Sequence, residues 1–200
     1  TYSGGANYTG SASTGEIAVA QAPTTTTVTS APNPSVYRET VTFTVTVDGT
    51  AGTLTGNVTV YDDGTAVGTC ALSGRTCELS SADLTAGSHA ITASYEGDAD
   101  FAASTSDPTT HTVLRAPTTL ELTGPTSSTY RETVTFTATI SATDGTFDGT
   151  VSFSDGTEPI AACQGVTVSA GTTSPWTATC STADLTAGVH AISATYSGGA

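Results

Sequence analysis

The feature that most constrains this chain is that it repeats itself. The segment VYRETVTFTVTV, Val36 to Val47, returns as TYRETVTFTATI, Thr129 to Ile140, with Tyr37 recurring 93 positions later as Tyr130. SADLTAGSHAITASYEGDADF, Ser81 to Phe101, returns as TADLTAGVHAISATYSGGA, Thr182 to Ala200, with Tyr95 recurring 101 positions later as Tyr196. The longer offset marks an insertion inside the second copy. TYSGGANY, Thr1 to Tyr8, matches SYEGDADF, Ser94 to Phe101, and TYSGGA itself stands at both Thr1–Ala6 and Thr195–Ala200. QAPTTTTV (Gln21 to Val28) and RAPTTLEL (Arg115 to Leu122) mark seams between units. Self-similarity at a fixed period means that one structural unit is used more than once.

Within each unit the pattern is that of short strands. ETVTFTVTV alternates, placing Val41, Phe43, Val45 and Val47 on one face. Thr is β-branched and stiff at χ1, so an abundance of it between apolar residues favours extended backbone with a hydroxylated outer face. GNVTVYDDG runs into an Asp-Asp-Gly turn, GSHAITASY alternates at His89, Ile91, Ala93 and Tyr95, and STSDPTTHTVLRA closes the first unit. No long stretch carries a helical period. This predicts an all-β chain of tandem immunoglobulin-like β-sandwiches with about seven strands each. The boundaries that follow are 1–22, a terminal strand segment completing a neighbouring domain; 23–116, the first domain; and 117–200, a second domain lacking its last strand.

The order APTTTTVTSAPNPSVYRETVTFTVTV, GNVTVYDDGTAVGT, LTAGSHAITASYEGDADFAAS resembles the bacterial Ig-like repeats of large extracellular surface proteins and adhesin stalks. Arg38-Glu39 and Arg131-Glu132 replace that family's usual Gly-Gln after the Tyr, and paired cysteines are not general in it. The resemblance implies extracellular spacers, sometimes with a ligand at a distal tip, and no catalytic residue.

Charge narrows the partners. Eighteen acidic and four basic residues give a net charge of −14 and a pI near 4.1, and every basic residue is Arg. Nucleic acid and anionic membrane surfaces both require positive charge, so neither is expected as a partner. No apolar run reaches the roughly 20 residues of a membrane-spanning helix, so membrane insertion is not expected. Without Lys, a Lys–Asn isopeptide staple is excluded.

The four cysteines fall two per unit. A two-residue turn at Ser73-Gly74 would set Cys70 opposite Cys77 across a hairpin, and a turn at Gly171-Thr172 would do the same for Cys163 and Cys180. Zinc is the rival reading, but each unit offers two thiols and no His at ligand spacing. Disulfides are expected, and with them an oxidising extracellular or cell-surface setting.

Few residues stand out as sites. His89 and His190, both in LTAGxHAI, read as corner residues before the penultimate strand, with metal or catalytic duty as the alternative. His111 reads as a surface residue of the closing strand. No Gly-x-Ser-x-Gly elbow occurs. Asp62, Asp63, Asp98 and Asp100 are weak cation candidates, because the second unit does not repeat the set; no metal and no cofactor is expected. Trp176, the only Trp, reads as an inter-subunit or ligand contact, or as packing on its own sheet. Asn7-Tyr8-Thr9 and Asn57-Val58-Thr59 match the glycosylation sequon.

The phase of the repeat bears on function. The second unit carries no counterpart of the closing strand, whereas Asn7 to Ala22 resembles one with no domain before it. The expectation is a linear homopolymer, either a tandem array or donor-strand addition, in which Asn7 to Ala22 of one copy completes the second domain of its neighbour. A non-enzymatic filament or stalk is favoured over a cell-surface adhesin or carbohydrate-binding module and over an accessory domain of a secreted enzyme.

Overall fold

The computed structural model describes residues 1–50, 52–143, 145, 147–169 and 171–198. It is all-β and forms two sandwich units. In the first, β1 (Thr24–Ala31), β3 (Val41–Gly49) and β6 (Thr76–Ser81) make an antiparallel sheet in the order β1-β3-β6. The facing sheet contains β2 (Ser35–Val36), β4 (Asn57–Asp62), β5 (Thr65–Ala71), β7 (Gly87–Tyr95), β8 (Ser104–Thr105) and β9 (Thr109–Leu114). Its order is β2-β9-β7-β4-β5, with β8 also on β7.

Alternation decides what lies inside. Val41, Phe43, Val45 and Val47 of β3 are buried against Val58, Val60, Ile91, Ala93, Tyr95 and Val113 of the facing sheet. The intervening Thr and Ser residues pair across strands, as in Thr42–Ser80 at 3.1 Å and Thr59–Thr69 at 3.2 Å. His111, expected at the surface, is fully buried in β9. It shares the inward parity of Val113, its Nδ1 is 2.9 Å from Ser30 Oγ, and its ring meets Phe43 edge-on.

The second sandwich has one sheet of β10 (Thr119–Thr123), β11 (Val134–Ser141) and β15 (Trp176–Thr182) in the order β10-β11-β15. The other sheet is centred on β12 (Thr150–Asp155), flanked on one edge by β13 (Glu158–Pro159) and β14 (Val166–Thr167) and on the other by β16 (Ile192–Tyr196). Phe136, Ala138, Ile140, Val151, Phe153 and Cys180 form its core. Trp176 is buried there rather than offered to a partner: its indole stacks on Phe147 at 4.0 Å and donates to the Gly171 carbonyl at 3.0 Å. It sits in register opposite Ile140 on an inward position of β15, which is why the ring turns into the core.

Both disulfides form, Cys70–Cys77 and Cys163–Cys180, but not across hairpins. The first turn closes between Ser73 and Thr76, one residue later than expected, so Cys70 and Cys77 are not cross-strand partners. Cys70 lies on β5 beside β4, and Cys77 on β6 beside β3, so the bond ties one sheet to the other. Cys163 stands on a 3-10 turn, Ala161–Cys163, and reaches Cys180 of β15. The two bonds also use different levels of equivalent strands, since Cys77 stands opposite Val45 while Cys180 stands opposite Phe136, the counterpart of Phe43. Loop-closure entropy puts their contributions at about 2 kcal/mol for the separation of 7 and about 3 kcal/mol for the separation of 17. Calorimetry with reductant should therefore lower both melting transitions, the second domain's more.

The YRE element explains itself in both units. Arg38 and Arg131 hold left-handed φ angles of 69° and 64°, a conformation that favours Gly and costs other residues roughly 1–2 kcal/mol. Each guanidinium lies over the preceding Tyr ring at 5.4 Å, and the following Glu carboxylate caps the turn, Glu39 accepting from Val36 N and Glu132 from Thr129 N.

Candidate functional site

The two sandwiches differ most at one edge. In the first, β7 lies between β4 and β9, Ser106 N donates to the Ala93 carbonyl, and β2 pairs in parallel with the end of β9. In the second, β16 pairs with β12 and, among the described residues, with no strand on its other side. Ser128-Thr129, the counterpart of Ser35-Val36, forms no strand there. The inward side chains register the difference: Ile91, Ala93 and Tyr95 are buried, while their counterparts Ile192, Ala194 and Tyr196 are half-exposed. A cavity of about 450 Å³ meets this strand at its first residue, Ile192, and is lined also by Thr129, Tyr130, Glu132, Phe136 and His190. Its lining mixes polar and apolar side chains, and the outer side of β16 is the kind of sheet edge that accepts an added strand.

A segment with the complementary pattern is present at residues 1–22. Aligned on the Ala-Pro seams, Ile17 and Val19 match His111 and Val113; aligned on the TYSGGANY match, Tyr2 and Tyr8 match Tyr95 and Phe101. In the first sandwich Tyr95, Phe101, His111 and Val113 are 0%, 4%, 0% and 4% exposed. Tyr2, Tyr8, Ile17 and Val19 are 53%, 75%, 88% and 87% exposed. Four positions that are core in one setting are thus bare in the other.

The bacterial Ig-like domain (group 3) family matches at residues 28–114 and again at 120–200. The chain belongs to this family. No curated protein gives a match. Among solved structures, the fibronectin(III)-like modules of Clostridium thermocellum CbhA are similar, at 21% identity over 84% of each chain and a TM-score of 0.34. Among the described residues no helix is long and apolar enough to cross a membrane. Disulfides in both Ig-like domains fit an oxidising compartment, and Ig-like domains are generally non-catalytic.

The remaining singled-out residues hold the Ig-like domains' corners. His89 Nδ1 is 2.9 Å from Asp62, and His190 Nδ1 is 2.5 Å from Asp155, so each His clamps the end of the neighbouring strand. Asp63 and Asp155 also accept from Ala90 N and Ala191 N. This His–Asp pairing was missed in the sequence; Asp62 and Asp155, each in the turn that faces its His, were the signal. Asp62, Asp63 and His89 present ligand atoms within 4.8 Å of one another, but they are already engaged among themselves. Asp98, one of the weak cation candidates, caps its own loop. Its carboxylate accepts from Thr55 N, Thr55 Oγ1, Asp100 N and Phe101 N, and these bonds, led by those of the Thr55 and Asp100 amides, hold its pKa at about 2. Asn7 and Asn57 are both exposed.

His111 and His190 carry opposite pH responses. Burial pushes the His111 imidazole below the ordinary histidine range, aided by the charge of His89. The unfolded chain takes up that proton first, so this contribution to the first domain is whole above about 6.5 and is lost as pH falls from there through the lowered value. His190 is raised, first by its bond to the Thr186 carbonyl and then by Asp155. Its contribution is complete below about 6.5 and is lost as pH rises through the raised value. Calorimetry from pH 5 to 8 should show the wild-type advantage over His190→Gln in the second transition shrinking as pH rises.

Proposed function

We propose that the chain is a non-catalytic, extracellular structural protein whose Ig-like domains join head to tail in a linear array, either as a tandem array or by donor-strand addition, Asn7–Ala22 of one copy adding a strand beside β16 of the next. The observation that carries this reading is the pairing of opposites: four core-type side chains stand bare in residues 1–22, and among the described residues β16 has no strand on its outer side. A contact between two different surfaces of one chain is heterologous, and when the rotation does not close it builds a linear filament. The acidic surface keeps such an assembly soluble, and one disulfide braces each domain. A sugar-binding module is less well supported, because the one Trp that could offer a stacking platform lies in the core.

Electron microscopy of the purified chain at high concentration tests this. Thin fibres are expected, shortened by an excess of free peptide spanning Asn7–Ala22, which caps the edge of β16. A field of isolated single copies would overturn donor-strand addition.

A further inference from the structure

The two disulfides differ in how a reagent can reach them. In the first domain the sheet orders β1-β3-β6 and β2-β9-β7-β4-β5 each end on a strand that carries a half-cystine, β6 and β5. The Cys70–Cys77 bond therefore closes one side of the sandwich at its margin. Its two residues have different surroundings. Cys77 is 6% exposed and stands opposite Val45 on β3. Cys70 is partly exposed, between Thr69 and Ala71, which are both exposed. The second bond is enclosed. Cys163 and Cys180 are each 1% exposed and belong to the core with Phe136, Phe153 and Ile160. The turn that carries Cys163 is held shut, since Cys163 N donates to the Ile160 carbonyl and Gln164 Nε2 donates to the Phe153 and Ile160 carbonyls at 2.6 and 3.0 Å. A disulfide opens when a thiolate attacks one of its sulfurs, and access decides which bond and which sulfur.

We propose that Cys70 is a site of reversible S-thiolation: a small external thiol attacks Cys70 Sγ and opens the Cys70–Cys77 bond, while Cys163–Cys180 stays closed. The thiol gives its proton to solvent, and its thiolate forms a new S–S bond to Cys70. The Cys70–Cys77 bond breaks with its electron pair on Cys77 Sγ, which takes a proton from solvent and remains as a buried thiol. One disulfide is exchanged for another, so no separate oxidant or reductant enters. Cys77 reverses the step by attacking the adduct and expelling the small thiol. The opened bond is the smaller brace, with a sequence separation of 7 against 17. A net charge of −14 favours a cationic thiol over an anionic one.

The test treats the full native chain with rising concentrations of cysteamine, a small cationic thiol. The reaction is quenched with acid, the chain is unfolded and alkylated, and each cysteine is mapped by mass spectrometry. The first product should carry cysteamine on Cys70 and the alkylating group on Cys77. Cys163–Cys180 should open only at a concentration about tenfold higher or more. Adduct on Cys77, or shared evenly between Cys70 and Cys77, would mean attack on an opened chain and would overturn the assignment. Opening of Cys163–Cys180 first or at the same concentration would overturn it, and so would the absence of any adduct on the folded chain.

Discussion

Changing Ile17 and Val19 together to Asp should abolish assembly and leave the fold untouched. Both side chains are almost fully exposed in the single chain, and surface substitutions of this kind usually move stability by no more than about 0.5 kcal/mol. In the proposed assembly the same positions face the second domain beside β16, where a carboxylate would be stripped of water with no partner. The expected result is a loss of self-association of roughly a hundredfold or more by sedimentation. The melting curve of the dilute protein should be unchanged. A structural role for these residues within their own copy would give the reverse, a lowered melting temperature with assembly following it down.

The second large effect is expected from Trp176→Ala. The indole is buried, stacked on Phe147, and hydrogen-bonded to Gly171; Phe147 in turn stacks on Tyr196, whose hydroxyl donates to the Asp148 carbonyl. Truncation removes the largest buried side chain of the second domain and leaves a cavity, a change that typically costs about 3–5 kcal/mol. Domain stabilities are commonly about 5–15 kcal/mol, so the loss is a large share of the total. Calorimetry should show the second transition moving down while the first stays in place. The aromatic column also reaches β16 through Tyr196, so assembly should weaken along with the domain. An unshifted second transition would place the indole outside the core.

Much of this was legible in the residues because strands announce themselves by parity. The run Val41, Phe43, Val45, Val47 and its copy from Val134 to Ile140 put the core where it is found. Parity also marked His111 as inward, two residues from Val113, yet an isolated polar residue in a Thr-rich strand reads as surface until its partner Ser30 is seen across the sandwich. Such a partner is some eighty positions away and leaves no local trace. Trp176 misleads for a related reason. It is surrounded by Thr, Ser and Pro, so its neighbours suggest a loop, whereas its register opposite Ile140 turns it inward.

The cysteines show how a right pairing can rest on the wrong geometry. A turn one residue later than expected shifts every cross-strand neighbour, because strand pairing has a period of two. Cys70 and Cys77 still meet, since the chain leaves one sheet and enters the other between them, and the bond bridges that gap. The last two residues of the repeated TYSGGA, Gly199 and Ala200, lie outside the described residues.

Hydrogen exchange along β16 addresses the central claim most directly. Backbone amides of Ile192–Tyr196 are to be followed in dilute wild-type chain, in concentrated wild-type chain, and in concentrated chain carrying Asp at positions 17 and 19. If a strand from another copy covers this edge, the amides on its outer side become protected in the concentrated wild type alone. Equal exchange in all three samples would contradict the account.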